Sequence, residues 1–69
     1  MGSRVRARDL QIGETIFVTS THGTLSSGNI AHGKIARIDR TGDGFLLFTL
    51  ENGITYEPYG DFDLIQKTL

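Results

Sequence analysis

GKIARIDRTGDGFLLFTLENGITYEPYGDFD, residues 33–63, is the stretch that decides the fold. It contains a strand pattern, a turn, a second strand pattern, an Asn-Gly hairpin, a third strand and a closing turn. Asn52-Gly53 between apolar runs is the strongest short hairpin signal a sequence carries, because a tight two-residue turn needs positive φ. Thr41-Gly42-Asp43-Gly44 marks the preceding hairpin on the same grounds. Between them Phe45 to Leu50 is apolar on both faces, as expected of a central strand or of one whose outer face meets a partner.

Working outward, Ile30 to Arg40 forms the strand before this one. Its parity is imperfect, since Ala36 and Ile38 share a face that Ile35 does not. A bulge or bend near Gly33 reconciles them. Ser20 to Asn29 has loop composition, anchored by Leu25 alone. Glu14 to Thr19 is β-branched and aromatic, with Ile16 and Val18 on one face and Phe17 on the other. Arg4 to Arg8 alternates charge with Val5 and Ala7, the pattern of a half-buried strand. The turn Asp9 to Gly13 follows it, with Leu10 and Ile12 expected to plug one end of the core. On the far side, Ile54 to Glu57 pairs back and Pro58 ends that strand for want of an amide. Tyr59 to Asp63 is expected as a short 3-10 turn before a last strand, Leu64 to Lys67, with Thr68 and Leu69 fraying. No helical periodicity and no internal repeat is evident.

The chain has 69 residues, enough for one domain, placed at residues 4–67. Met1-Gly2-Ser3 is set aside as a disordered start or an expression remnant. So short a chain has a thin core, and with no cysteine it has no disulfide to reinforce it. A homodimer is one way to add buried area. No apolar run is long enough for a membrane helix and no secretory signal is evident, so a cytoplasmic setting is expected. The formal net charge is −1, unevenly spread. Residues 1–40 hold Arg4, Arg6, Arg8, Lys34, Arg37 and Arg40 against Asp9, Glu14 and Asp39. Residues 41–69 hold Lys67 against Asp43, Glu51, Glu57, Asp61 and Asp63.

Five strands, a long first loop, two tight hairpins and a 3-10 turn resemble a Src-homology-three-like β-barrel. The stretch His32-Gly33-Lys34-Ile35-Ala36-Arg37-Ile38-Asp39 is similar to the start of a KOW motif. Leu46, Phe48, Leu50, Asn52-Gly53, Tyr56 and Asp63-Leu64 resemble Tudor-like domains. The resemblance covers residues 32–65 and implies an all-β, single five-stranded barrel that docks on RNA, DNA or another protein.

Candidate chemistry is sparse. His22 and His32 lack the close spacing of a metal site, so neither metal nor cofactor is expected. Ser26, Ser27, His22 and Asp43 are the raw material of a hydrolytic triad, without the strained Gly-x-Ser-x-Gly turn that would present a nucleophile. Gly23, Gly28 and Gly33 are too widely spaced to cradle phosphate. An oligomeric enzyme sharing a pore is the remote alternative to a non-enzymatic binding module. The leading expectation is a protein-interaction module within a larger assembly. It would use the apolar, acid-rimmed surface of residues 45–63 or the loop 20–32, with Phe45, Leu47, Tyr56, Tyr59 and Phe62 as contacts. The alternative is nucleic-acid binding through Arg4, Arg6 and Arg8, which alternation places on one side of the first strand, together with Arg37 and Arg40 on the strand expected to neighbour it. The competing reading of those arginines is a solvated face that protects an edge strand.

Overall fold

The computed structural model describes residues 2–68, and of His22 the backbone alone. The expectations that fall on Met1, Leu69 and the His22 imidazole lie outside the described residues. The strands are β1 (Gly2–Arg6), β2 (Thr15–Thr19), β3 (Gly23–Leu25), β4 (Ile30–Arg40), β5 (Leu46–Leu50), β6 (Thr55–Pro58) and β7 (Leu64–Thr68). Short 3-10 helices occupy Ala7–Asp9 and Ser20–His22.

These strands form one antiparallel sheet in the order β1-β7-β2-β4-β5-β6-β3. The expected five-stranded barrel is therefore corrected to a seven-stranded open sheet. Two features of the chain account for the difference. The last strand inserts between β1 and β2, so β1 pairs with β7 rather than with the arginine-bearing β4. The expected loop at 20–29 also contributes β3, whose Gly23–Leu25 pairs with Pro58–Tyr56. β1 and β3 thus end as free edges at opposite sides of the sheet.

β4 is the longest strand and serves two ladders. Residues 30–34 pair with β2, and from Ile35 onward the strand pairs with β5. The register shifts between Ile35 and Arg37, so Ala36 is the extra residue of a bulge. The bulge lies beyond Gly33 and resolves the parity differently from the expectation. Ile35 and Ile38 both turn inward, and Ala36 is exposed.

One face of the sheet surrounds the core, which holds Ile16, Val18, Leu25, Ala31, Ile35, Leu46, Phe48, Leu50, Tyr56 and Ile65, with Ala7 and Leu10 from the first connection. Phe48 and Tyr56 are opposite in register and stack with centroids 6.4 Å apart. Ile12, expected in the plug with Leu10, is 64% exposed. The Asn52-Gly53 turn forms as read. Gly53 has φ of 88°, and its N–H donates to the Leu50 carbonyl. Asn52 Nδ2 also reaches across to the His32 carbonyl at 3.3 Å, tying the hairpin to β4. The segment before β7 is not a 3-10 turn but a hydrogen-bonded turn, with Asp63 N–H donating to the Gly60 carbonyl at 3.3 Å.

Gly23 is held by proximity and not by its dihedral angle. A Cβ there would overlap the Glu57 carbonyl oxygen and stand 2.7 Å from Tyr56 Cε1 and 2.9 Å from Pro58 Cα. Gly23→Ala is expected to cost about 1–3 kcal/mol through this overpacking. Gly42→Ala, with nothing within 4 Å of the added carbon, is expected to stay within about 0.5 kcal/mol of the parent. Urea denaturation of the two variants measures the contrast.

A partly buried ion pair closes the other end. Lys67 Nζ donates to Glu14 Oε2 at 2.7 Å, and the Gln11 N–H donates to Glu14 Oε1. The Lys67 hydrogen bond, opposed by burial, holds the Glu14 carboxyl below the usual value of 4.5. A carboxyl depressed in the folded state adds stability above its unfolded value and loses it as pH falls through the folded one. Unfolding midpoints are therefore expected to drop as pH falls below about 4.5. Glu14→Gln is expected to flatten that part of the acid limb.

Candidate functional site

Antiparallel register decides which side chains share the outer face. Arg4 is opposite Gln66, Gln66 opposite Phe17, and Phe17 opposite His32. One row across four strands thus reads Arg4, Gln66, Phe17, His32, with the Phe17 and His32 rings 6.2 Å apart. The flanking positions on this face are Arg6 and Leu64 to one side, Thr19 and Ile30 beyond, and Thr15 with Lys34 at the other end. On β1, β7, β2 and residues 30–34 of β4, the charged residues at outward positions are all basic: Arg4, Arg6 and Lys34.

The ladder between β2 and β7 stops at Phe17 and Gln66. Beyond it the two strands part, and a cleft of about 410 Å³ opens from the outer face toward the core. Val18, Thr19, Leu64 and Ile65 form its walls, Tyr56 is at its base, and Arg4, Tyr59, Phe62 and Asp63 stand around its mouth. The separation has a local cause. The Ala7 N–H donates to the Asp63 carbonyl at 2.8 Å and the Arg8 N–H to the Asp61 carbonyl at 3.0 Å. These bonds pin the closing turn to the 3-10 helix after β1, which draws the start of β7 away from β2.

The same pinning brings the first strand's cations onto the aromatic turn. The Arg8 guanidinium lies 5.0 Å from the Phe62 ring centroid and that of Arg6 5.7 Å. Phe62 is still 63% exposed, and Tyr59 64%. Phe17 is 37% exposed at the centre of the outer face.

The two residue sets expected from sequence are regrouped. Arg4, Arg6 and Arg8 come together with Phe62. Arg37 and Arg40 do not join them: Arg37 pairs with Asp39 at 2.7 Å, and Arg40 binds Asp61 through both guanidinium nitrogens and the Gly44 carbonyl through one. Of the aromatic and apolar set, Tyr59 and Phe62 flank the cleft, while Phe45 and Leu47 do not line it. Tyr56 is fully buried and packs as part of the core, which corrects its placement among surface contacts.

Phe17, Leu64, Gln66 and Lys34 were not singled out as binding residues. Alternation already placed Phe17 opposite the buried Ile16 and Val18. What was missing was the insertion of β7 beside β2, which surrounds that ring with Gln66 and Arg4. Among the described residues no three His, Asp or Glu side chains converge on one point. The Ser26 hydroxyl accepts the Thr55 N–H, and that of Ser27 donates to the Ile30 carbonyl, so both serve the loop's own structure.

Burial, with smaller contributions from the charges of Asp63 and Tyr59, pushes the Tyr56 phenol up from 10.0 to about 12. A proton held more tightly in the folded state adds stability that is lost as pH rises from about 10 through about 12. In an ultraviolet titration of the folded protein, Tyr56 is expected to ionise only near pH 12 or upon unfolding. A Tyr59→Phe variant should retain that late transition.

No protein family, curated protein or solved structure matches the chain in sequence or structure comparison.

Proposed function

We propose that this protein is a non-enzymatic binding module that holds single-stranded nucleic acid on the outer face of β1, β7, β2 and the first half of β4. The observation that carries this reading is the row Arg4–Gln66–Phe17–His32. It sets an exposed ring at the middle of a face whose charged strand positions are Arg4, Arg6 and Lys34. Single strands are bound without sequence preference by this combination, with cations tracking phosphates and aromatic rings stacking on bases. A ring on a sheet face suits an unpaired base better than a duplex, whose bases expose no flat surface to stack on. Phe62 under Arg6 and Arg8 extends the same chemistry to the sheet edge.

A protein partner, the other expectation, gains less from this geometry. Its contacts divide between the buried Tyr56, the cleft residues Tyr59 and Phe62, and the separate β5 region of Phe45 and Leu47. The overall charge of −1 does not oppose nucleic-acid binding here, because the outward positions of the platform strands carry no carboxylate.

Fluorescence anisotropy with short oligothymidylates at low salt tests the reading. Binding is expected at micromolar concentrations, weakening as salt rises. Phe17→Ala is expected to lose about 1–3 kcal/mol. Arg4→Ala with Arg6→Ala is expected to reduce the salt slope by about 1.4, from roughly 0.7 per phosphate contact on a single strand. Absence of binding at low salt, or binding unaffected by Phe17→Ala, overturns the proposal.

A further inference from the structure

We propose that the cleft between β2 and β7 takes one guanine of the bound strand. This inference rests on the single-strand reading above and gives it a base preference. The volume, about 410 Å³, is at the lower end of the range for small-ligand sites, about 300–1,000 Å³. That is room for one planar heterocycle with part of its sugar. Val18 and Ile65 supply apolar wall, and Tyr59 at the mouth offers a ring face.

The polar groups set the choice of base. Asp63 and Arg4 both line the cleft, and they form no salt bridge with each other. Asp63 Oδ2 accepts the Gly60 N–H at 3.1 Å, which fixes the carboxylate's orientation. Its Oδ1 has no hydrogen-bond partner among the described residues. A carboxylate only accepts and a guanidinium only donates. The matching base must present neighbouring donors on one edge and acceptors on another. Guanine does so, with N1–H and the 2-amino group for a carboxylate, and O6 and N7 for an arginine. Adenine has a single amino group and no N1–H. Cytosine has one donor for Asp63, and thymine sets two carbonyls about its one N–H.

The cleft also lies at the end of the platform row, since Arg4 and Gln66 belong to both. A strand stacked on Phe17 can therefore turn its next base inward. The cost of unstacking is small for a single strand, where no pairing has to be broken.

The experiment compares anisotropy titrations of oligothymidylates carrying one central guanine, adenine, cytosine or inosine. Guanine is expected to bind roughly 5- to 100-fold tighter than adenine. Inosine, which lacks the 2-amino group but keeps N1–H and O6, is expected between them. Asp63→Asn is expected to abolish the guanine preference. Guanosine monophosphate is expected to compete with the guanine probe before it competes with oligothymidylate. The inosine comparison needs no variant, so it reads the cleft even if Asp63→Asn disturbs the turn. Equal affinity for all four probes overturns the guanine site and leaves the platform standing. Failure of every probe to bind overturns the platform itself.

Discussion

The architecture depends on one pair of backbone hydrogen bonds at the bend of β4. The Ile35 N–H donates to the Glu14 carbonyl and the Ile35 carbonyl accepts the Gly13 N–H. Both backbone groups of this fully buried residue are thereby satisfied by the turn before β2, at the point where β4 leaves one ladder for another. An unpaired backbone group at that depth would cost free energy comparable to a lost hydrogen bond. With the pair in place, β4 can give its first half to β2 and its second half to β5. The Ala36 bulge lets Ile35 and Ile38 both face the core despite the odd spacing between them. Without the bend, the sheet would present Phe48 and Leu50 on a plane that no other layer covers, and a chain of this size has no second layer to offer.

The same arrangement explains why bulk charge is a poor guide to this surface. Four of the acidic residues are engaged by cations: Asp9 by Arg8, Glu14 by Lys67, Asp39 by Arg37 and Asp61 by Arg40. Apart from the partly buried Lys67–Glu14 pair, these exposed pairs contribute little to stability, about 0–1 kcal/mol each. Their effect on the distribution of charge is larger. Arg37 and Arg40 are neutralised beside β4 and the closing turn, while Arg4 and Arg6 make no salt bridge among the described residues. A chain with nearly balanced charge therefore displays one run of strand positions that carries only cations, where local potential and not net charge governs attraction of a polyanion.

Local rules read much of this fold from sequence. The Asn52-Gly53 hairpin, the Thr41–Gly44 turn, the inward Ile16 and Val18 and the outward Phe17 all follow from turn chemistry and period-two alternation, which act over a few residues. Strand order depends on contacts far apart in the chain, and nothing near Leu64–Thr68 states that this segment will slot between β1 and β2. The barrel expectation failed there. β3 was illegible for a related reason. Ser20 to Asn29 has the composition of a loop, and its three-residue strand exists because Gly23 lets the backbone approach β6 too closely for any side chain. The arginine set was legible as a set and misread as a surface, since ion pairing removes two of its members. Phe17 was legible as outward, but the neighbours that give it a role arrive from the other end of the sequence.

The cleft and the stability of the fold draw on the same feature. Continuing the β2–β7 ladder past Phe17 and Gln66 would add backbone hydrogen bonds, a gain that a thin core has reason to take. The chain instead commits the Ala7 and Arg8 amides to the closing turn, which holds β7 apart from β2. That choice leaves the walls at Val18, Thr19, Leu64 and Ile65 without a ladder between them, and it moves Phe62 beneath two arginines. A strand pair held open by hydrogen bonds on its far side is already shaped before a ligand arrives. Little ordering is then required on binding, so more of the contact energy appears as affinity. On this reading the missing ladder is the part of the structure in which stability gives way to function.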